Sequence, residues 1–152
     1  MQKRSLQISN DILIPEIAKL ISEGHTVTLP LRGYSMRPWL EDGRDKALLA
    51  PVPETLNIGD VVLAEISTSR YALHRIVEIS EQGITLCGDG NITPEYIQRA
   101  DVIAIATGFY RKGSDTLSPV KGNRAYTLYW KTWIALKPLR RYLLFIYRKF
   151  FK

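Results

Sequence analysis

Apolar residues first recur at helical spacing. Within residues 9–23, Leu13, Ile17, Leu20 and Ile21 fall on one helical face. Ser9, Asn10 or Asp11 can cap this segment, Pro15 suits its first turn and Gly24 stops it, so residues 1–24 are expected to supply a helix that packs on the core. Beyond Gly24 the period shortens to that of strands. Residues 26–29, 61–66, 71–79, 84–87 and 102–110 carry β-branched and aromatic side chains, and residues 46–50 form a further short apolar run between turn signals. Turn residues such as Asp42-Gly43, Ser67-Thr68-Ser69 and Glu81-Gln82-Gly83 separate them, and Pro51-Val52-Pro53 enforces an extended connection. Short strands spaced by turns, with a helix at each end, predict a mainly β fold: a coiled antiparallel domain over residues 25–112.

Residues 113–124 have linker composition, with Gly113, Ser114, Pro119 and Gly122. Beyond them Tyr126, Tyr129, Trp130 and Trp133 alternate with Lys131 and Lys137. After Pro138, Arg141, Arg148 and Lys152 share one helical side, with Tyr142, Leu143, Ile146 and Phe150 largely opposite. Residues 125–152 therefore read as a basic, aromatic, amphipathic segment.

Charge sharpens that reading. The net charge is +6, but residues 116–152 hold nine Lys and Arg and no acid, whereas residues 1–115 hold twelve basic and fifteen acidic side chains. The whole basic excess is C-terminal, which suits an anionic surface. Two placements follow from this pattern. In one, residues 125–152 rest on an anionic membrane with Tyr126, Trp130 and Trp133 at the headgroup boundary; in the other, they pack on the β-domain with solvated basic edges. Their apolar runs of about five residues are far below the ~18 needed to span a bilayer. Nucleic acid is disfavoured as a partner, because no recognised motif accompanies the basic excess. No apolar stretch of signal-peptide length follows Met1-Gln2-Lys3-Arg4, so the expected location is cytoplasmic or peripheral on the cytoplasmic face of a membrane.

The chain is 152 residues long, the size of one ordinary domain, with one cysteine and two histidines. A disulfide framework is excluded within the chain, and no CxxC or HExxH spacing offers a metal site, so neither a metal nor another cofactor is expected. His25 beside Gly24 reads as an exposed loop residue. His74 differs, because it sits inside the strand pattern of residues 71–79, which would hold its imidazole rigidly.

The candidate chemistry centres on Gly33-Tyr34-Ser35-Met36-Arg37-Pro38-Trp39-Leu40. A hydroxyl stands there between a Gly and a Pro, where the backbone must turn. Asp89 follows His74 by fifteen residues, bracketed by Gly88 and Gly90. Ser35, His74 and Asp89 thus offer a nucleophile, a general base and an orienting carboxylate, the set that serine hydrolysis requires because a free hydroxyl is a weak nucleophile near neutral pH.

Four stretches in order, Ser35-Met36-Arg37-Pro38, Ile58-Gly59-Asp60-Val61-Val62, His74-Arg75-Ile76-Val77 and Gly88-Asp89-Gly90-Asn91, resemble the S24/S26 serine peptidases over about residues 30–112. Within that group the chain is similar to the histidine-type signal peptidases, since His74 stands where bacterial enzymes carry a general-base Lys. The resemblance implies the coiled β-sheet of signal peptidases and of the catalytic domains of self-cleaving repressors. It also implies cleavage of a peptide or preprotein substrate in trans, with oxyanion donors on the backbone of the serine turn around Gly33, Tyr34, Met36 and Pro38. In the relatives a second acid lies several residues past the Gly-Asp pair, which makes Glu95 the alternative to Asp89. A self-cleaving repressor-type protease is the competing enzyme reading. Against it stand the absence of a Lys in the His74 strand, the roughly thirty residues ahead of Ser35, too few for a DNA-binding domain, and the lack of any Ala-Gly pair. A non-catalytic peptide-binding module on the same fold is the third reading.

Overall fold

The computed structural model describes residues 10–150, opening on helix α1 (Asn10–Ser22). Ile14, Ile17 and Ile21 form its buried stripe, whereas Leu20, expected on that face, is 42 % exposed because it sits on the flank of the stripe. Pro15 lies in the second turn rather than the first, and Gly24 ends the segment at φ +89°. Ser9, one of the three expected caps, lies outside the described residues.

Strands β1 (Val27–Pro30), β2 (Lys46–Ala50), β3 (Val61–Ser67), β4 (Arg70–Ser80), β5 (Gly83–Cys87), β6 (Glu95–Ile97), β7 (Val102–Tyr110) and β8 (Ser118–Pro119) form one antiparallel sheet. Its order is β1-β2-β7-β3-β4-β5-β6, with β8 added to β7. The expected mainly β, antiparallel class is therefore observed. Strands β6 and β8 were not legible as strands; each is only two or three residues long and follows or contains a proline. Register shifts at Leu48/Leu49, Leu63/Ala64, Glu65/Ser67 and Ile76/Glu78 add local twist and coil the sheet.

Coiling gives the sheet an apolar layer on both faces. Val61 and Leu63 join a core with Ile17, Met36, Leu49 and Phe109, while the alternate residues Val62 and Ala64 join a second core with Ile76, Leu86 and Ile97. This explains why residues 61–64 are apolar without alternation. Among the described residues, several strands have a partner strand on one side only. Strand β1 bonds only to β2, and the first half of β4 bonds only to β3, because β5 meets β4 from Arg75 onward.

Helices α2 (Arg124–Ala135) and α3 (Arg140–Phe150) complete the described chain, joined by a 3-10 turn over Lys137–Leu139. The Asn123 side chain caps α2 by accepting from the Tyr126 N–H at 3.1 Å. Residues 113–124, expected as a linker, instead carry β8, and the Val120 N–H donates to the Thr107 carbonyl at 3.0 Å. Helix α2 belongs to the β-body. Tyr126 is 1 % exposed and packs against Phe109 and Trp39 with ring centroids 5.8 and 5.3 Å away. A Cβ on Gly59, whose φ is +100°, would stand 2.5 Å from the Trp130 ring, so both backbone shape and close approach require glycine there. Of the three rings named for a headgroup boundary, Tyr126 is buried, half-buried Trp130 packs on Gly59 and half-buried Trp133 bonds to the Asp89 carbonyl, so the packed placement describes α2. An amphipathic pattern states that a face must be covered, not by what. Among the described residues, no helix is long and apolar enough to cross a membrane.

Candidate active site

The serine turn is built from the inside. Met36 and Leu40 are buried beneath it, and the N–H groups of Arg37 and Leu40 donate to the carbonyls of Tyr34 and Met36 at 3.2 and 3.0 Å. Gly33 enters the turn at φ +79°, a conformation open to glycine, and its N–H donates to Asp42 Oδ1 at 2.6 Å. Asp45 fastens the exit: buried itself, it accepts from the Glu41 and Lys112 N–H groups at 2.9 Å each and from Arg44. Burial pushes the Asp45 carboxyl upward, but the Arg44 guanidinium and those two amides outweigh it and hold the group below its ordinary range. Ser35 remains half-buried on this support while Tyr34 is exposed.

The Gly88-Asp89-Gly90-Asn91 turn lies directly against it. The Gly90 N–H donates to the Ser35 carbonyl at 2.7 Å, and the Asn91 N–H closes the turn on the Gly88 carbonyl at 2.9 Å. A Cβ on Gly88 would collide with the Ser35 carbonyl and come within 3.0 Å of His74 Cδ2; one on Gly90 would collide with the Tyr34 carbonyl. The two glycines therefore permit two loops and an imidazole to meet, which is close approach rather than special backbone torsion.

His74 is buried on β4, paired across the sheet with Val62. Its Nδ1 bonds to Glu95 Oε1, which β6 delivers. That bond fixes the Nδ1–H tautomer and leaves Nε2 as the basic atom. The adjacent ring atom Cδ2 faces Gly88 and, through it, the Ser35 backbone. Ser35, His74 and Asn91 all line a cleft of about 590 Å³. Among the described residues no hydrogen bond joins the Ser35 hydroxyl to His74, and no acceptor takes the Ser35 N–H.

Asp89 is not the carboxylate on His74. Its Oδ1 and Oδ2 each accept from Arg75, at 2.9 Å, in a fork in which both side chains are 1 % exposed. Tyr129 donates its hydroxyl to Oδ2 at 2.7 Å, and Trp133 Nε1 donates to the Asp89 carbonyl at 2.8 Å. Arg75 Nη1 donates in turn to the Gly59 carbonyl and to the Tyr126 hydroxyl, both at 2.9 Å. The reason is strand geometry. His74 and Arg75 are neighbours on β4 and leave opposite faces, so an acid that reaches one is turned from the other. Glu95, the alternative acid, takes the histidine.

Burial alone would depress the Arg75 guanidinium, but the Asp89 carboxylate holds it charged, well above the ordinary arginine range. Burial first, and then the same carboxylate, push the Tyr129 phenol far upward, so it keeps its proton and donates it in the hydrogen bond to Asp89. Burial also raises the Cys87 thiol, keeping the neighbouring sulfur protonated and out of nucleophilic chemistry. Among the described residues no three His, Cys, Asp or Glu side chains converge as a metal site.

Arg75, Tyr129, Trp133 and Arg140 join this centre without a motif that marks them for it. Arg140 Nη1 reaches Cys87 Sγ at 3.3 Å and the Asn91 carbonyl at 3.4 Å, so both C-terminal helices brace the Gly88–Asn91 turn. One signal for Arg75 did exist: a guanidinium among Leu73, Ile76 and Val77 on a core strand demands a buried partner. Comparison of the chain with protein-family models, curated proteins and solved structures finds no match.

Proposed function

We propose that the chain is a serine endopeptidase of S24/S26 type, related to the histidine-type signal peptidases, which cleaves peptides in trans with Ser35 as nucleophile, His74 as general base and Glu95 as orienting carboxylate. The observation that carries this reading is that buried His74, on the wall of the cleft that Ser35 also lines, is paired from behind with half-buried Glu95. Ser35 Oγ attacks the scissile carbonyl as His74 Nε2 takes its proton; Glu95 stabilises the resulting imidazolium through Nδ1–H. The N–H of Ser35, which no acceptor takes among the described residues, would receive the oxyanion, whereas Pro38 has no N–H to offer. His74 then protonates the departing amine, and water attacks the acyl-enzyme by the same route in reverse. A serine not yet bonded to its base is compatible with this, since catalytic hydrogen bonds often tighten only once substrate binds.

A peptide substrate suits the walls of the cleft. Leu29, Pro30 and Leu31 line one side and residues 70–74 another, where β1 has β2 and the first half of β4 has β3 as its one partner strand among the described residues. An extended chain lying there could bond its backbone to strand edges while its side chains enter an apolar trough floored by Ile14, Leu63 and Met36. Cleavage of quenched fluorogenic peptides with small side chains before the cut tests the proposal. Wild-type protein should turn over in trans, and Ser35→Ala should lose at least about a thousandfold in kcat/KM. Binding without cleavage by wild type would assign the fold to a peptide-binding module, and first-order self-scission upstream of Ser35 would assign it to the self-cleaving class.

A further inference from the structure

Helix α3 is covered on one side only. Its rows of residues four apart behave differently: Arg140 and Leu144 are buried and Leu143 and Tyr147 half-buried, whereas the rows Tyr142–Ile146–Phe150 and Arg141–Phe145–Lys149 are exposed. Tyr142, Phe145 and Phe150 are 64, 68 and 71 % exposed, well beyond what isolated surface aromatics need explain, and Leu139, 53 % exposed, extends the apolar row. Arg141 and Lys149 lie in these exposed rows and Arg148 is exposed at their border, while Arg140 is the buried exception. Residues 124–150 carry seven Lys and Arg and no acid.

We propose that this outer face of α3 is a docking surface for an anionic lipid bilayer, with Tyr142, Ile146 and Phe150 entering the headgroup layer and Arg141, Arg148 and Lys149 meeting lipid phosphates. Charge complementarity selects this occupant. A second copy of the chain would set Arg141 and Lys149 against their own equivalents with no acid between them. A bilayer supplies both an apolar layer and anions at its rim, so one contiguous face satisfies both kinds of side chain. The helix has 11 residues, enough to lie in the interface and too few to span it. Its inner side touches the serine turn: the Arg37 guanidinium sits 5.8 Å from the Tyr147 ring, two residues beyond Ser35. Docking would hold the serine turn about one helix diameter, ~10 Å, from the headgroups. The inference concerns the outer face and stands whether or not the cleft hydrolyses peptides.

Flotation of the full chain with phosphatidylcholine vesicles, with and without phosphatidylserine, tests it. The chain should float with the anionic vesicles at low salt and release as ionic strength rises. Arg141→Gln/Arg148→Gln/Lys149→Gln should weaken that binding about a hundredfold, and Ile146→Ser/Phe150→Ser should weaken it also, with thermal melts unchanged because these side chains point outward. Wild-type chain that ignores anionic vesicles overturns the proposal, as does either variant floating like wild type. Binding to an oligonucleotide but not to vesicles would assign the face to nucleic acid, and a dimer that disappears in Ile146→Ser/Phe150→Ser without vesicle binding would assign it to a second copy; each also overturns it.

Discussion

Glu95→Gln is expected to lower the rate of peptide cleavage by about 10²- to 10⁴-fold with little change in Tm. The amide keeps the length and much of the packing of the carboxylate, but it brings no charge to stabilise an imidazolium. It can also turn its N–H₂ toward Nδ1 and favour the wrong tautomer, with the proton on Nε2 where the base is needed. Stability should hold because the Glu95 side chain is 19 % exposed and water can replace part of what it loses. Asp89→Asn should behave in the opposite sense, with Tm falling, because its partner Arg75 would stay charged and buried beside an amide. Steady-state kinetics and thermal melts on both variants decide the matter. A large loss of kcat in a fully folded Asp89→Asn together with near-normal kcat in Glu95→Gln would return the orienting role to Asp89.

Arg75→Met is expected to cause the largest loss of stability of any single change considered, about 3–5 kcal/mol. The methionine fills most of the aliphatic stem but removes the two forked bonds to Asp89 and the bonds to the Gly59 carbonyl and the Tyr126 hydroxyl. Asp89 would be left at 1 % exposure without its guanidinium partner, with Tyr129 as its remaining side-chain donor. Urea denaturation of Arg75→Met, Asp89→Leu and the double variant measures this as a cycle. The double variant should be more stable than the sum of the two single losses predicts, because it leaves no buried charge unpaired. Strict additivity would mean that the pair is not coupled, and that α2 is held by its aromatic packing alone.

Much of the sheet was legible because its longer strands announce themselves. Residues 61–66, 71–79 and 102–110 combine β-branched content with clear turn residues at their ends, and the observed strands run over nearly the same positions. Strand β6 was not, since Glu95-Tyr96-Ile97 is too short to show a period and is held by pairing with residues 84–86. That gap affected the site. Without that strand nothing in the pattern directs Glu95 toward His74, whereas Asp89 stands out between two glycines. The glycines serve another end: they let the turn lie against the Ser35 and Tyr34 carbonyls. The sequence pattern also made residues 125–152 a single amphipathic segment. Contacts of Tyr126, Tyr129 and Trp133 with Arg75 and Asp89 help divide it into an inward α2 and a half-covered α3. Those contacts join residues about 40 to 50 apart along the chain, and periodicity is blind to pairings at that range.

The most direct test of the central claim is covalent labelling of the native protein with a fluorophosphonate, read by intact mass and peptide mapping. One adduct is predicted, on Ser35. It should be absent in Ser35→Ala, and its rate of formation should fall sharply in His74→Ala and to a smaller degree in Glu95→Gln, in line with a hydroxyl activated by a histidine that a carboxylate orients. No adduct on the folded wild-type protein, or an adduct that forms on Ser35 at the same rate without His74, would contradict the assignment of this cleft as a serine hydrolase site.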